Sequence, residues 1–397
     1  MRLAAFSPLS LIASVLTLGL ASPAGAADAH SPADYADDAK ALAGLIRDNY
    51  AYLDDLPGGA VPTSPQLQAE RDAAHDADSL LRYTEDMIAA LADHHAITGS
   101  SFKDDWAIVP SYADLWIMKD RDGYRVDAVK AGSPAAQAGV RPGDRLVKVD
   151  GQPVEAAVAA FWARLGLQPV GERAAYAARV LASGRRDRAR MLTFAGPKGE
   201  RTLTIDSLYK DQPQRPALTV SAAKGVTTIR FNNSIGDLPT IAAFDAEMVK
   251  LPPKAPVVID VSDTPSGGES SIARAIMSWF VPKPMPYQMH QLPSEERETG
   301  IVRQWQEYVL PRAGKYHPGP VSVRVSRWTG SMGEGIAIGF MALGKPVCGT
   351  RMAGLKGAVY DFDLPRTGLR VKFPAERLYT IQGMPRHHVV PPACPAM

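Results

Sequence analysis

The sequence has little of several features that would place a protein in a class directly. It contains 2 cysteines among 397 residues, too few for a disulfide-rich scaffold. Lys plus Arg number 44 and Asp plus Glu 42, so no excess charge favours binding to nucleic acid or to an anionic membrane. The sequence has no internal repeat. No His, Cys, Asp or Glu spacing is typical of a metal site, and no motif predicts a cofactor.

Long hydrophobic runs are also scarce, and the one candidate lies at the N-terminus. Arg2 precedes an apolar run over residues 9–21, which is shorter than the roughly 20 residues of a membrane-spanning helix. Small residues follow, including Ala24-Gly25-Ala26. This pattern predicts a signal peptide over residues 1–26, export to the bacterial periplasm or medium, and no stable membrane insertion after its removal. In that compartment Cys348 and Cys394 fit either a disulfide or two buried thiols.

The length of the chain allows two or three domains. Apolar residues recur at helical spacing through residues 27–105, which predicts an N-terminal helical region. Residues 217–397 instead alternate between predicted strands and predicted helices, which indicates an α/β sheet with crossover helices. The predicted strands are 226–231, 256–261, 321–325 and 346–348, and the predicted helices are 239–251, 267–280 and 332–343.

The region between them, residues 106–210, has the pattern of a small α+β domain. A strand candidate at 124–129 leads into Gly132-Ser-Pro-Ala-Ala136 and then Gly143-Asp144, a stretch that closely resembles the core of a PDZ domain. The resemblance implies a short helix at the Ser-Pro-Ala-Ala step and a hairpin at Asp150-Gly151, and both sequences suit those turns. A helix over 154–165 and strands at 191–194 and 201–205 would complete the domain. The Arg-rich segment 183–190 is predicted to be a solvated loop.

The sharpest local signal is Trp328-Thr-Gly-Ser-Met-Gly-Glu334, between a predicted strand and a predicted helix. A serine at such a turn exposes its hydroxyl beside helix N–H groups, an arrangement that suits a nucleophile next to a developing oxyanion. Taken alone, however, a serine before a helix is far more often an N-cap. Glu334, three residues after Ser331, would complete a capping box.

This motif resembles the nucleophile motif of the tail-specific, or C-terminal processing, serine peptidase family. The resemblance implies a multidomain α/β protein: an N-terminal helical module, a PDZ-like α+β domain and a crotonase-like α/β peptidase domain. It implies that Ser331 is the nucleophile and that Lys356, 25 residues downstream in Gly354-Leu-Lys-Gly357, is the general base. The N–H groups of Met332 and Gly268 would then hold the oxyanion.

Several positions depart from the family pattern. The family usually has Arg and Asn before the two glycines, where this chain reads Ser262-Asp-Thr-Pro-Ser266. Tyr360 stands where the family often has a Gln that orients the lysine. Two interpretations of Tyr360 follow: its hydroxyl replaces the amide of that Gln, or its ring belongs to the core. His387 stands where relatives often carry Glu. Asp93-His-His-Ala96 resembles the motif of tricorn-like members, in which a histidine is the base, so His95 is the alternative to Lys356. We favour Lys356, and a capping or core role for His95 is the third interpretation.

The expected function is therefore serine endopeptidase activity on exported proteins, with the PDZ-like domain binding a free C-terminus by strand addition. One alternative is a PDZ-containing binding protein that has lost catalysis, as in retinoid-binding relatives of the family. Another is a hydrolase of small esters. The sequence does not specify the natural substrate or the oligomeric state.

Overall fold

The computed structural model describes residues 30–197, 199–210 and 214–395. The predicted signal peptide lies outside these ranges. Within them, no helix is both long enough and apolar enough to cross a membrane. Two large hydrophobic cores organise the described residues: one joins the helical module to the PDZ-like region, and the other fills the C-terminal region.

The N-terminal module consists of three helices, α1 (Pro32–Asn49), α2 (Pro65–Ala73) and α3 (Ala77–Ala90). Each helix begins at a side-chain cap, because Ser31, Ser64 and Asp76 each accept an N–H from the residue three positions later. The predicted apolar stripes, such as Leu42 and Leu80, are fully buried between the helices. After α3 a loop carries His95 into a two-residue strand, β1 (Ile97–Thr98).

The PDZ-like region is an antiparallel sheet with helices packed against it. Its strands are β2 (Leu115–Asp120), β3 (Gly123–Val129), β4 (Arg145–Val149), β5 (Gln152–Pro153), β6 (Arg190–Gly196) and β7 (Gly199–Ile205). Its helices are α4 (Pro134–Gln137), α5 (Val154–Ala163) and α6 (Glu172–Ser183). The strand order is β2-β3-β4-β6-β7, with β5 paired to β4, so β2 is an edge strand. The predicted hairpin is present, with φ of 48° at Asp150 and 81° at Gly151.

The Arg-rich segment is only partly the solvated loop that its sequence predicts. Helix α6, which was not predicted, extends to Ser183, and β6 already begins at Arg190. The Arg190 side chain is buried and ion-paired with the fully buried Asp114. A carboxylate in the interior requires a cationic or hydrogen-bonding partner, which explains why one of these arginines is drawn inside.

The C-terminal region contains a parallel sheet with helices beside it. Its strands are β8 (Leu218–Ala223), β9 (Val226–Phe231), β10 (Val257–Asp260), β13 (Val321–Val325) and β14 (Val347–Gly349). Its helices are α7 (Pro239–Val249), α8 (Ser270–Met277) and α10 (Met332–Ala342). The order is β14-β13-β10-β9-β8, parallel except for β8. The strands and helices predicted for this region are present, with ends shifted by a few residues.

A second, antiparallel sheet lies beside the parallel sheet. It contains β11 (Met285–Gln291), β12 (Gln304–Val309), β15 (Ala358–Asp363) and β16 (Arg370–Tyr379), and a short helix, α9 (Pro293–Thr299), lies between β11 and β12. β16 also pairs with β1, so this sheet joins the segment after the helical module to the C-terminal region. Prolines within β11 and β16 weaken their strand signal, and neither strand was predicted.

The topology brings two loops together at one edge of the parallel sheet. Because β10 and β13 are parallel neighbours, the chain leaves both strands at the same edge. The loop after β10 contains Gly267 and Gly268, and the turn after β13 contains Ser331. Sites in open α/β sheets form at this edge. A disulfide between Cys348 in β14 and Cys394 fastens the end of the chain to the same sheet.

Candidate active site

Ser331 occupies a turn that the surrounding structure holds in a strained conformation. Its φ is 49°, a region that non-glycine residues adopt only at a cost in free energy. The Thr329 hydroxyl, two residues earlier, donates to the Val261 carbonyl at 2.8 Å, and this bond ties the turn to the end of β10. The Ser331 N–H donates to the Glu334 carboxylate at 3.0 Å, which is one half of the predicted capping box. The serine hydroxyl lies at the surface of a cleft.

The side chain that meets the Ser331 hydroxyl is His95. Its Nε2 lies 2.9 Å from Ser331 Oγ, and its Nδ1 lies 2.5 Å from the Lys356 carbonyl oxygen. A carbonyl only accepts hydrogen bonds, so Nδ1 carries the proton and Nε2 is free to accept from the serine. Burial and the positive charge of Arg386 lower the pKa of His95 to about 4, against the opposing effect of the Lys356 carbonyl. His95 is therefore a neutral acceptor at neutral pH.

The loop that carries His95 is fixed by a buried carboxylate. Asp93 accepts the His95 N–H at 2.9 Å and the Tyr50 hydroxyl at 2.8 Å. Burial raises the pKa of Asp93, and both hydrogen bonds oppose that rise. The helical module therefore helps to position His95. The end of α1 and the loop after α3 together set the position of the His95 backbone.

The side chain of Lys356 is directed to a different part of the molecule. Its Nζ lies 2.7 Å from the Asp55 carboxylate and 5.0 Å from the centre of the Tyr52 ring. Lys356 is not among the residues that line the cleft around Ser331. The structure therefore brings Ser331 together with His95, and the contribution of Lys356 to this cluster is its backbone carbonyl rather than its amine.

Glu334 connects the serine turn to the loop that orients the histidine. This fully buried carboxylate accepts N–H groups from Ser331 at 3.0 Å, Gly354 at 2.9 Å and Leu355 at 3.0 Å. Burial raises the pKa of Glu334 to about 7, although Arg386 and the three N–H donors oppose the shift. One side chain thus links the Ser331 turn to the loop whose Lys356 carbonyl contacts His95. The sequence suggested only a helix cap at this position.

Arg386 completes this support from the C-terminal end of the chain. Its buried guanidinium donates to the carbonyls of Leu355 at 3.2 Å and Gly357 at 2.7 Å, on either side of Lys356. The neighbouring His387 packs its ring against Tyr52, at 5.6 Å between centroids. Arg386 was not predicted as a site residue, because its partners are backbone carbonyls that leave no mark in the sequence.

The loop after β10 approaches Ser331 closely. A Cβ on Gly267 would lie 2.3 Å from Ser331 Cβ, so only glycine fits there. The Gly267 N–H already donates to the Thr264 carbonyl at 3.1 Å. The N–H groups of Gly268 and Met332 make no hydrogen bond within the described ranges, and both residues line the cleft. These are the two oxyanion donors predicted from the sequence.

Beside Ser331 lies a cleft of about 690 Å³ between the parallel sheet and the antiparallel sheet. One wall of the cleft is polar and is formed by Gln288, His290, Trp305, Glu307, Tyr360 and Glu376. His290 lies 2.7 Å from Glu376 and 3.2 Å from Glu307, and Tyr360 hydrogen-bonds Glu376. Tyr360 therefore does not orient Lys356. The cluster joins residues from four strands, and no local motif predicts it.

Charges within this wall compensate one another. Burial lowers the pKa of His290, but the two flanking carboxylates outweigh it and raise the pKa overall. Burial likewise favours the neutral form of Glu307, yet hydrogen bonds from His290 and Tyr287 and the charge of Arg274 hold its pKa at about 2. The wall is thus a pre-formed network of ionised and hydrogen-bonded groups along one side of the cleft.

Comparisons with known proteins agree with this architecture. Residues 125–173 match the PDZ domain family. The solved structure of the photosystem II D1 C-terminal processing protease is similar, with a TM-score of 0.54 and 16% identity, over 90% of this chain and 92% of that chain. Mature CPAF complexed with lactacystin is similar with a TM-score of 0.56 and 16% identity, over 91% of this chain and 93% of that chain. No curated protein sequence matches the chain. The chain therefore contains a PDZ domain and shares the multidomain α/β fold of the C-terminal processing proteases.

Proposed function

We propose that this protein is a serine endopeptidase in which Ser331 is the nucleophile and His95 is the general base. The observation that carries the proposal is the 2.9 Å contact between Ser331 Oγ and the unprotonated Nε2 of His95. Nucleophile, base and orienting acceptor form one chain of hydrogen bonds, which is the arrangement that activates a serine hydroxyl. The orienting acceptor is the Lys356 carbonyl, where many serine hydrolases use a carboxylate.

The first half of the reaction forms an acyl-enzyme. Ser331 Oγ attacks the carbonyl carbon of the scissile peptide while His95 Nε2 takes the hydroxyl proton. The negative charge that develops on the substrate oxygen is held by two N–H groups. One belongs to Gly268 in the loop after β10, and the other belongs to Met332 at the N-terminus of α10. His95 then gives its proton to the leaving amine as the C–N bond breaks. The new N-terminus departs, and the substrate acyl group remains as an ester of Ser331.

The second half reverses these roles with water. His95 takes a proton from a water molecule, which attacks the ester carbonyl, and returns that proton to Ser331 Oγ as the ester bond breaks. Throughout both halves Glu334 and Arg386 hold the loop 354–357 in place, so the Lys356 carbonyl remains aligned with His95 Nδ1. Positioning of this kind lowers the barrier without the supporting groups contacting the substrate.

Peptides and proteins outside the cytoplasm are the proposed substrates. The predicted signal peptide suggests export, and the Cys348–Cys394 disulfide suits an oxidising compartment. Recognition of a free C-terminus by the PDZ domain would use strand addition at the edge of β2. Helix α6 packs beside that strand, and Arg179 of α6 directs a guanidinium N–H toward the Ile117 carbonyl of β2. The cleft beside Ser331 is the open binding surface for a substrate.

A fluorophosphonate probe tests the proposal, because it phosphonylates an activated serine. We expect one equivalent of label on the mature protein, lost in Ser331→Ala and retained in Ser221→Ala, which removes an exposed serine on β8. Equal labelling of the two variants would contradict the assignment of Ser331. Absence of label together with retained peptide binding would instead favour the non-catalytic binding protein, and turnover of esters alone would favour the small-ester hydrolase.

The pH dependence of cleavage is a second expectation. His95 acts as a base only when unprotonated, so kcat/KM for an uncharged peptide should fall below neutral pH with an apparent pKa of about 4. Arg386 and Asp93 are the charged groups packed around His95 on either side, and the net effect of its surroundings is the lowered pKa. Profiles should be measured between pH 3 and pH 9 within the range where the protein stays folded. A plateau reached only at alkaline pH would favour an amine base.

A further inference from the structure

Helix α6 lies against the edge strand where PDZ domains commonly add a peptide. It packs on β2, and all of its residues from Ala174 to Ser183 are buried. Arg179, near its middle, directs a guanidinium N–H toward the Ile117 carbonyl of β2 at 3.5 Å. The same guanidinium lies 5.7 Å from the centre of the Trp116 ring. The Arg179 side chain therefore lies against β2 at Trp116 and Ile117.

The face of α6 that carries Tyr176 and Arg179 also contacts the histidine immediately before His95. The Tyr176 ring stacks on the His94 ring, with centroids 4.4 Å apart and planes 16° from parallel. Arg179 Nε–H donates to His94 Nε2 at 2.7 Å. An arginine cannot accept this bond, so His94 is neutral with its proton on Nδ1. One helix of the PDZ domain thus holds the imidazole that adjoins the catalytic loop.

The environment of Arg179 is unusual for a buried cation. Its exposed fraction is 8%, and it makes no ion pair with a carboxylate within the described ranges. Its partners are a neutral imidazole, a carbonyl and an indole ring. Burying a charge without a counter-ion is unfavourable. The free-energy cost of burying Arg179 is explained if this side chain fixes the positions of the groups that it contacts.

The same strand also anchors the nucleophile turn. Trp328, three residues before Ser331, donates its indole N–H to the Ala113 carbonyl at 2.7 Å, just before β2. Arg327, the residue before Trp328, packs its guanidinium 4.9 Å from the centre of the Trp116 ring in β2. Contacts from β2, from the residue before it and from α6 therefore reach both the serine turn and the histidine loop.

We propose that Arg179 of the PDZ domain is a positioning residue for His95, acting through the side chain of His94. The inference rests on the proposed role of His95 as general base. Three anchors then define the histidine: Asp93 holds its backbone N–H, the Lys356 carbonyl holds its Nδ1, and α6 holds its neighbour. Loss of the third anchor leaves the loop that carries His95 attached, but it lets His95 Nε2 move out of hydrogen-bonding alignment with Ser331 Oγ.

The test compares Arg179→Leu with Arg173→Leu, a matched change on the same helix whose guanidinium faces Trp162 instead of His94. We expect kcat to fall on the order of 10-fold to 100-fold in Arg179→Leu with KM unchanged, as for loss of alignment. Arg173→Leu should keep kcat within about twofold. Arg179→Lys retains a donor and should recover part of the loss. In a His94→Ala background, Arg179→Leu should lower kcat no further, because the two residues act in series.

A readout that needs no turnover separates this inference from the proposed function. Spectra of protein labelled with [¹⁵N]histidine report the tautomer and hydrogen bonding of His95, identified by its loss in His95→Ala. Arg179→Leu should change the His95 signals, and Arg173→Leu should not. Unchanged His95 signals and kcat in folded Arg179→Leu would overturn the inference. If wild-type protein takes up no fluorophosphonate but its His95 signals still depend on Arg179, the proposed function fails and the positioning role stands.

Discussion

Replacement of His95 by Ala is expected to lower kcat/KM for a peptide substrate by on the order of 10⁴-fold, as much as Ser331→Ala. The reason is that Nε2 of His95 is the proton acceptor in contact with Ser331 Oγ. Because the two residues act as one unit, the double variant should lose no more activity than either single variant. Steady-state cleavage of a quenched fluorescent peptide, with active-site titration of the wild type, measures this loss.

Lys356→Met is the companion variant, and it distinguishes the two bases. It removes the amine but keeps the backbone carbonyl that accepts the His95 Nδ1 proton. The variant loses the cation–π contact with Tyr52 and the partly exposed ion pair with Asp55, and such an ion pair contributes about 0–1 kcal/mol to stability. Activity should therefore stay within a few-fold of wild type. Loss of cleavage in Lys356→Met with activity retained in His95→Ala would restore the lysine base that the sequence favoured.

Glu334→Gln is expected to lower kcat/KM by on the order of 10²-fold, the effect of a small misplacement of reacting groups. The carboxylate uses Oε2 for the N–H groups of Ser331 and Leu355 and Oε1 for that of Gly354. A glutamine must place its NH₂ group against at least one of these donors. The buried mismatch should also reduce the free energy of unfolding by about 1–3 kcal/mol.

Glu298→Gln, an exposed change on α9, is the control for this prediction. It should leave both kcat/KM and the urea unfolding midpoint near wild-type values. Fluorophosphonate labelling of Glu334→Gln should be slower than that of wild type, because the serine and the histidine are no longer aligned. Wild-type labelling and cleavage rates in folded Glu334→Gln would show that the serine turn does not depend on this carboxylate.

The sequence by itself determined most of the secondary structure and the position of the turn that carries Ser331. Helical spacing around Leu42 and Leu80, and the buried runs that became β10 and β13, are local patterns that survive folding. The core of the PDZ domain could also be predicted from the sequence, since its glycines and its Asp150-Gly151 turn favour specific backbone angles. Ser331 stood at a strand-to-helix turn in the sequence, and the structure places it there.

Two other features were outside the reach of local patterns. The polar wall of the cleft brings His290 to Glu307 and Glu376, which come from separate strands with no shared motif. Helix α6 follows α5 between the predicted helix at 154–165 and the predicted strand at 191–194, where no helix was predicted. Both depend on long-range packing, which propensity and periodicity do not encode.

Only the tertiary structure decided between Lys356 and His95 as the partner of Ser331. Lys356 has the spacing of a base, but spacing does not say whether the amine or the carbonyl of a residue faces the nucleophile. Here Asp55 and Tyr52 draw the amine to another face, while Arg386 and Glu334 turn the carbonyl of the same residue toward His95. His95 lies 236 residues from Ser331 in the sequence, and the pairing of β1 with β16 and the hydrogen bond from α6 to His94 bring the two together.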